Sequence, residues 1–218
     1  MIRMKRELRD YQHLPAFLPG PEVERWLARL AALSGEFLET HGRAGLGPLY
    51  RVLDGDQLRR HLPEIAALGS ERVRPAAEAF AGGSLAPFGS ARRAMRVQVY
   101  SQREHGFRWH RDGHDYVGLL TLRNTNRGQT QFLAPSVSRV ARFALYPLYP
   151  VPQVFSLLPR RTVEPAAGDL LLMRGARAIH RGVTLAEHGE RVTVVYAFDA
   201  PGKRPSALRD RLAKLLNY

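Results

Sequence analysis

Two hydrophobic periods divide the chain. From Val23 onwards the apolar residues Trp26, Leu27, Leu30, Leu33, Phe37 and Leu38 recur at helical spacing, with charges on the opposite side. Pro21 suits the first turn of that helix and Gly42 its end. A second helical region is predicted from Asp56 to Phe80. Pro63 and Pro75 interrupt it, because proline lacks the N–H that a helix interior needs. Residues 1–20 read as an irregular or edge-strand segment, and Leu49–Val52 as a short extended piece in a glycine-rich loop. Beyond Gly82-Gly83-Ser84 and Pro87-Phe88-Gly89 the period falls to two. There Met95, Val97 and Val99 alternate with Arg96, Gln98 and Tyr100. Val117–Leu122, Gln131–Leu133, Asp169–Met173 and Arg191–Phe198 are further strands. Helical spacing returns over Ser206–Leu216. The pattern predicts an α+β protein of one domain: helical support over 1–90, a β-sandwich or barrel core over 91–200, and a C-terminal helix over 201–218. Residues 135–160, rich in Pro, Tyr and Leu, read as a lid or strand insert.

Composition narrows the chemistry. The 218 residues include no cysteine, which excludes disulfides, thiolate ligands, iron–sulfur clusters and a cysteine nucleophile. A transition metal would have to be held by His, Asp or Glu. The formal charge of +13 favours anionic partners: nucleic acid, phospholipid headgroups or small acidic substrates. Basic residues are spread along the chain and form no tail. Met1–Asp10 lacks the apolar stretch of a signal peptide, and no apolar run suffices to span a bilayer, so a cytoplasmic protein is expected.

The segment Trp109-His110-Arg111-Asp112-Gly113-His114 is the candidate metal motif. In an extended strand, residues i and i+2 share a face, so His110 and Asp112 can reach one ion together. The third ligand expected is His180, 68 residues after Asp112. Two histidines and a carboxylate on one face of an octahedron leave positions open for a bidentate cosubstrate and dioxygen, which suits non-haem iron(II). Eleven residues past His180, Arg191 shares a strand face with Thr193 and Val195, while Val192, Val194, Tyr196 and Phe198 form an apolar face to pack beneath a helix. An inward arginine requires an anion.

Taken in order, five segments resemble the double-stranded β-helix (jelly-roll, cupin-like) core of the 2-oxoglutarate/iron(II) oxygenases, in the prolyl-hydroxylase-like style. They are Met95–Tyr100, Trp109–Asp112, Gly128–Phe132, Pro165–Leu170, and His180–Val183 continued by Gly189–Thr193. The resemblance covers about half the chain. It departs at Arg127, where the family often has a second glycine before Gly128. It implies iron(II) on His110, Asp112 and His180, with 2-oxoglutarate as cosubstrate, its far carboxylate held by Arg191, and Thr193 and Tyr100 as further donors. It also implies use of O2, ascorbate as an accessory reductant, and hydroxylation of a substrate with release of succinate and carbon dioxide. Asp112 argues against a halogenase, whose related site has a small residue there.

The reading preferred on these grounds is a hydroxylase of a small, anionic or amino-acid-derived molecule. A nucleic-acid demethylase ranks below it, because the repair branch carries a second arginine shortly after the cosubstrate arginine and Val192–Phe198 has none. Peptide or protein oxygenation and a non-catalytic β-barrel binding module are the remaining alternatives. His114 and Asp115 compete as ligands, but Gly113 and the lack of a glutamate beside His110 disfavour a helical zinc motif. Arg108, Arg111, Arg123, Arg127 and Arg181 flank the motifs as solvated residues or as a basic rim. His105 and His188 read as solvated loop residues; His13, His41 and His61 are placed with the helical part and given no role.

Overall fold

The computed structural model describes residues 10–37, 39–41, 50–89, 91–100, 109–125, 128–137, 155, 157–183 and 189–203. Eight strands form one antiparallel sheet: β1 (Tyr11–Leu14), β2 (Glu39–His41), β3 (Tyr50–Asp54), β4 (Ala86–Pro87), β5 (Met95–Tyr100), β6 (Tyr116–Asn124), β9 (Leu170–Met173) and β11 (Arg191–Asp199). Their order is β1-β9-β6-β11-β5-β3-β2, with β4 pairing on β11. A second sheet of three antiparallel strands has the order β10 (His180–Gly182), β7 (Thr130–Leu133), β8 (Arg160–Val163).

The large sheet is apolar on both faces for different reasons. Val192, Val194, Tyr196 and Phe198 of β11 join Val97, Val99, Leu120, Leu122, Leu170 and Leu172 in one core, which the helices complete. Helix α1 (Gly20–Phe37) contributes Val23, Trp26, Leu27 and Leu30, the i, i+3, i+4, i+7 stripe expected of a helix lying on a sheet. The opposite face carries Val117, Leu171, Met173 and Val195 against Phe132 and Val163 of the small sheet, the inter-sheet core. Helix α1 ends at Phe37, before the expected Gly42, because Glu39–His41 leaves to pair with β3. The helical region also contributes strands: β1, β2 and β3 all belong to the large sheet.

The second helical region is α2 (Gly55–His61), α3 (Pro63–Leu68), a π-helical turn (Gly69–Val73) and α4 (Arg74–Ala81), followed by the short α5 (Ala91–Ala94). Asp54 caps α2, accepting from the N–H groups of Asp56 and Gln57 while the Gln57 side chain bonds back to it. Pro63 divides the helices as expected. Pro75 does not: it sits in the first turn of α4, and the wider π turn precedes it. Tyr196 reaches from the sheet to donate to the carbonyl of Ile65 at 2.8 Å. Gly69 lies so close to that ring that a Cβ there would be 2.7 Å from it. No helix among the described residues is long and apolar enough to cross a membrane. The expected C-terminal helix and most of 135–160 lie outside the described residues.

Candidate metal centre and its surroundings

His110 and His180 are brought together by the backbone. Each donates its N–H to the other's carbonyl, at 2.9 and 3.0 Å, in an isolated antiparallel bridge. Their rings end 4.4 Å apart between centroids. Asp112 does not continue a strand, contrary to expectation. After the bridge the chain leaves the sheet, and the Asp112 N–H is held by the carbonyl of Gly175 at 3.0 Å. A Cβ on Gly175 would stand 2.8 Å from the Asp112 Cβ and 3.1 Å from its Oδ2, so this turn can approach the carboxylate only because residue 175 is glycine. The ligand atoms of His110, Asp112 and His180 all lie within 4.8 Å of one another. Nε2 of His110 is 3.7 Å from Asp112 Oδ1, and Nε2 of His180 is 3.5 Å from Oδ2. Both separations exceed a hydrogen bond. Neighbouring octahedral ligands, each about 2.1 Å from a metal, lie about 3 Å apart. The donor set therefore fits one ion of the iron class.

The electrostatics agree with a site ready for a cation. Burial works to raise the Asp112 carboxyl, but His180, His110 and His114 outweigh it and hold it well below the ordinary range, so it is ionised. Burial, helped by His110, pushes His180 down to about 4, so its ring is neutral at pH 7. Its Nδ1 lies 3.2 Å from the Ala178 carbonyl, an acceptor that places the proton there and leaves Nε2 as the lone pair facing Asp112. On the outer side of the same strand, the Arg181 guanidinium lies over Trp109 at 4.8 Å and donates to Gln131 Oε1 at 2.9 Å. The residues next to both histidines are thus clasped from outside.

Arg191 is buried between the sheets with no carboxylate partner among the described residues. It donates to Thr130 Oγ1 at 2.9 Å and more weakly to the Gln129 carbonyl at 3.4 Å, while Nε has no partner among the described residues. Burial lowers its pKa, with Tyr100 opposing. Tyr100, its register partner on β5, is raised well above the usual phenol value by burial and by Tyr50; Arg191 opposes that shift and Asp112 adds to it. One phenol therefore senses both the guanidinium and the triad carboxylate. Thr130 lies two residues along β7 from Phe132, whose ring is 5.8 Å from that of His180. Two strand residues span about 7 Å, so Arg191 and the triad share one inter-sheet space at different depths.

Comparison with known proteins bears on this arrangement. No family model and no curated protein matches the sequence. Solved structures do match. The non-haem alpha ketoglutarate dependent carbocyclase SnoK from nogalamycin biosynthesis superposes with a TM-score of 0.71 at 18% identity, covering 94% of this chain and 86% of that one. HygX from Streptomyces hygroscopicus, with nickel, 2-oxoglutarate and hygromycin B bound, gives 0.65 at 15% identity over 88% and 84%. A Pseudomonas putida prolyl-4-hydroxylase gives 0.55 at 15% identity over 88% and 94%. The chain has the fold of the 2-oxoglutarate/iron(II) oxygenases.

Within that oxygenase fold, the positions expected from sequence converge unequally. His110, Asp112 and His180 form one cluster, and Arg191, Thr193 and Tyr100 line the inter-sheet face. His114 is outside the cluster, its ring edge-on to Phe88 at 4.3 Å, and Asp115 is used elsewhere, accepting from Lys203 Nζ and the Ala200 N–H. Arg123 pairs with Glu190. Arg108, Arg127, His105 and His188 lie outside the described residues. His13 is not helical: it stands on β1 with Nε2 2.7 Å from Asp169. Sequence reasoning passed over Gln98, Thr121 and Gly175. Gln98 was detectable, since it shares its parity with Tyr100 on β5; Gly175 acts through a close approach that only the folded chain shows.

Proposed function

We propose that this protein is an iron(II)- and 2-oxoglutarate-dependent oxygenase acting on a small molecule. The observation that carries the reading is the pairing, in one inter-sheet space, of a His-Asp-His cluster with a buried arginine that has no carboxylate partner among the described residues. His110, Asp112 and His180 would hold the metal, and Arg191 would take the far carboxylate of the cosubstrate, with Thr193 and Tyr100 beside it. Iron(II) with 2-oxoglutarate supplies dioxygen activation, the cosubstrate leaving as succinate and carbon dioxide. The chain's own residues do the rest. The Ala178 carbonyl fixes the His180 tautomer, Gly175 orients Asp112, and the apolar inter-sheet core keeps water from the reacting atoms. A small substrate is supported by HygX, whose structure holds hygromycin B, and by SnoK, which belongs to nogalamycin biosynthesis. SnoK is a carbocyclase and SnoN an epimerase, so turnover is best followed through succinate rather than through an assumed hydroxylated product.

The test is anaerobic titration of the apo-protein with iron(II) and 2-oxoglutarate. A weak visible charge-transfer band that needs both components, and is lost in a folded His180→Ala variant, is expected. A folded wild-type protein that gives no band with both present refutes the reading.

A further inference from the structure

Two of the three triad residues are oriented from one short turn. Past β9 the chain turns over residues 174–178, where the N–H groups of Arg177 and Ala178 both donate to the Arg174 carbonyl, at 2.9 and 2.7 Å. The Gly175 carbonyl in that turn accepts from the Asp112 N–H, and the Ala178 carbonyl faces His180 Nδ1 at 3.2 Å. There is no slack between turn and carboxylate. A Cβ at residue 175 would stand 2.8 Å from both the Asp112 Cβ and the His114 carbonyl oxygen. A displacement of the turn is therefore a displacement of Asp112 and a loss of the acceptor that orients His180.

What holds the turn lies on the other side of the large sheet. Along β9, Leu170 and Leu172 face the helices, while Leu171 and Met173 face the small sheet. Arg174 continues that alternation, and its side chain goes to the helix side, away from the metal centre. There it is 7% exposed. Its guanidinium carbon lies 5.4 Å from the ring centroid of Phe80 on α4 and 5.3 Å from that of Tyr116 at the start of β6, both within cation–π range. Nη1 donates to the Tyr116 hydroxyl at 2.9 Å, and the Arg174 N–H donates to the Asp10 carbonyl at 2.9 Å. The first residue of the turn is thus tied to α4, to β6 and to the lead-in of β1. Packing alone would not call for this. Among the described residues no carboxylate pairs with Arg174 and its Nε has no partner, whereas an apolar side chain would fill the same core without burying a charge. Arginine adds reach and a directional bond.

We propose that Arg174 is a positioning residue of the metal centre, coupling the packing of α4 and β6 to Asp112 and His180 through the turn over residues 174–178. The inference rests on the metal reading above and deepens it. The sheet separates the Arg174 guanidinium from the ligand atoms, so its effect is carried by two carbonyls, those of Gly175 and Ala178. Metal affinity then depends on contacts made on the face of the sheet opposite the metal. Partners of this kind, one step out from the ligands, typically control affinity by 10- to 100-fold.

The test uses two readouts. One is iron(II) affinity, by anaerobic calorimetry. The other is the ring tautomer of His180 in metal-free protein, from nitrogen–proton NMR correlation spectra at neutral pH, where wild type is expected to carry its proton on Nδ1. Arg174→Met keeps the length of the side chain and removes the charge and the bond. It is expected to weaken iron(II) by about 10- to 100-fold and to give a mixture of His180 tautomers. Arg174→Lys returns a cation to the two rings and should recover part of both. Leu30→Ala, on α1 in the same helix-side core, controls for lost packing: it should lower the melting temperature and leave both readouts at wild-type values. An Arg174→Met protein that melts early yet keeps wild-type iron(II) affinity and the Nδ1–H tautomer overturns the proposal and leaves the metal reading standing. Should Arg174→Met fail to fold, Tyr116→Phe decides, since it removes only the hydrogen bond and keeps both rings. A several-fold loss of iron(II) affinity is expected there, and wild-type values overturn the proposal. Wild-type protein that binds no iron(II) overturns both readings.

Discussion

At the scale of single residues, the metal centre depends on groups that are not ligands. Asp112 lies off the strand that its spacing suggested, and it is held by the Gly175 carbonyl. The sequence pattern revealed the ligands because i, i+2 spacing and a distant histidine are visible in a string; the approach of a turn to a carboxylate is not. Gly175→Ala is expected to push its methyl into Asp112 and weaken iron(II) binding by at least tenfold, with the fold retained. A fluorescence or calorimetric metal titration beside a circular dichroism spectrum checks it, and wild-type affinity would show that the turn simply shifts. Protonation supplies a second prediction. His180 is held at about 4 in the folded apo-protein, against about 6.5 unfolded. Its folded value is depressed, so the unfolded chain takes up the proton first. Its contribution is complete above about pH 6.5 and is lost as pH falls towards 4, a change on the order of 3 kcal/mol. Asp112, also depressed, acts only below the ordinary carboxylate range, so the two windows separate. Urea midpoints of apo-protein between pH 7 and 4.5 should fall, and should fall less in His180→Gln. A parallel decline in that variant would assign the loss to other groups.

At the scale of elements, alternating or short continuous apolar runs identified β5, β6, β7, β9 and β11, because each buries at least one face and the pattern records burial. It missed β8, whose Arg160-Arg161-Thr162 is exposed at a sheet edge, and β10, which is three residues long. It could not foresee the π turn before α4, since nothing in local propensity distinguishes it from a kink at Pro75. Nor did it foresee how β1 is fastened. Asp169, at the turn before β9, accepts from the Ala166 N–H at 2.8 Å, from the Ala16 N–H at 2.9 Å, and pairs with His13 at 2.7 Å. Gly168 beside it has φ +89°, and a Cβ there would meet the Leu18 carbonyl at 2.4 Å. The turn and the β1–α1 junction are therefore one structure, joined through the Asp169 carboxylate and the Leu18 N–H, which donates to the Gly168 carbonyl at 2.9 Å. Asp169→Ala should remove the acceptor of two part-buried hydrogen bonds and cost about 1–2 kcal/mol. The loss should appear as a lower melting temperature and as faster amide exchange along β1. Exchange rising uniformly over the whole sheet would deny this local role.

At the scale of the whole molecule, the chain maintains a polar seam between two apolar cores. A buried guanidinium without a carboxylate partner, and the side-chain donors of Gln98, Thr121 and Thr193 without any partner, among the described residues, oppose stability in the ligand-free protein. Folds carry such groups where a ligand later satisfies them. Arg191→Met, similar in length and apolar, therefore separates fold from function. Without ligands it should be at least as stable as wild type, because it removes a buried cation and loses only the bond to Thr130 and the weak one to the Gln129 carbonyl. Iron(II) alone should stabilise both proteins, since the triad is intact in each. Adding 2-oxoglutarate at about 100 times its wild-type dissociation constant should stabilise iron-loaded wild type by a further 2.7 kcal/mol or about that, and should add nothing to the variant at the same concentration. Denaturant melts in the four ligand conditions provide the comparison. If ligand-free Arg191→Met were clearly less stable than wild type, the arginine would be a structural strut to Thr130. If 2-oxoglutarate stabilised the variant as it does wild type, the far carboxylate would have another anchor.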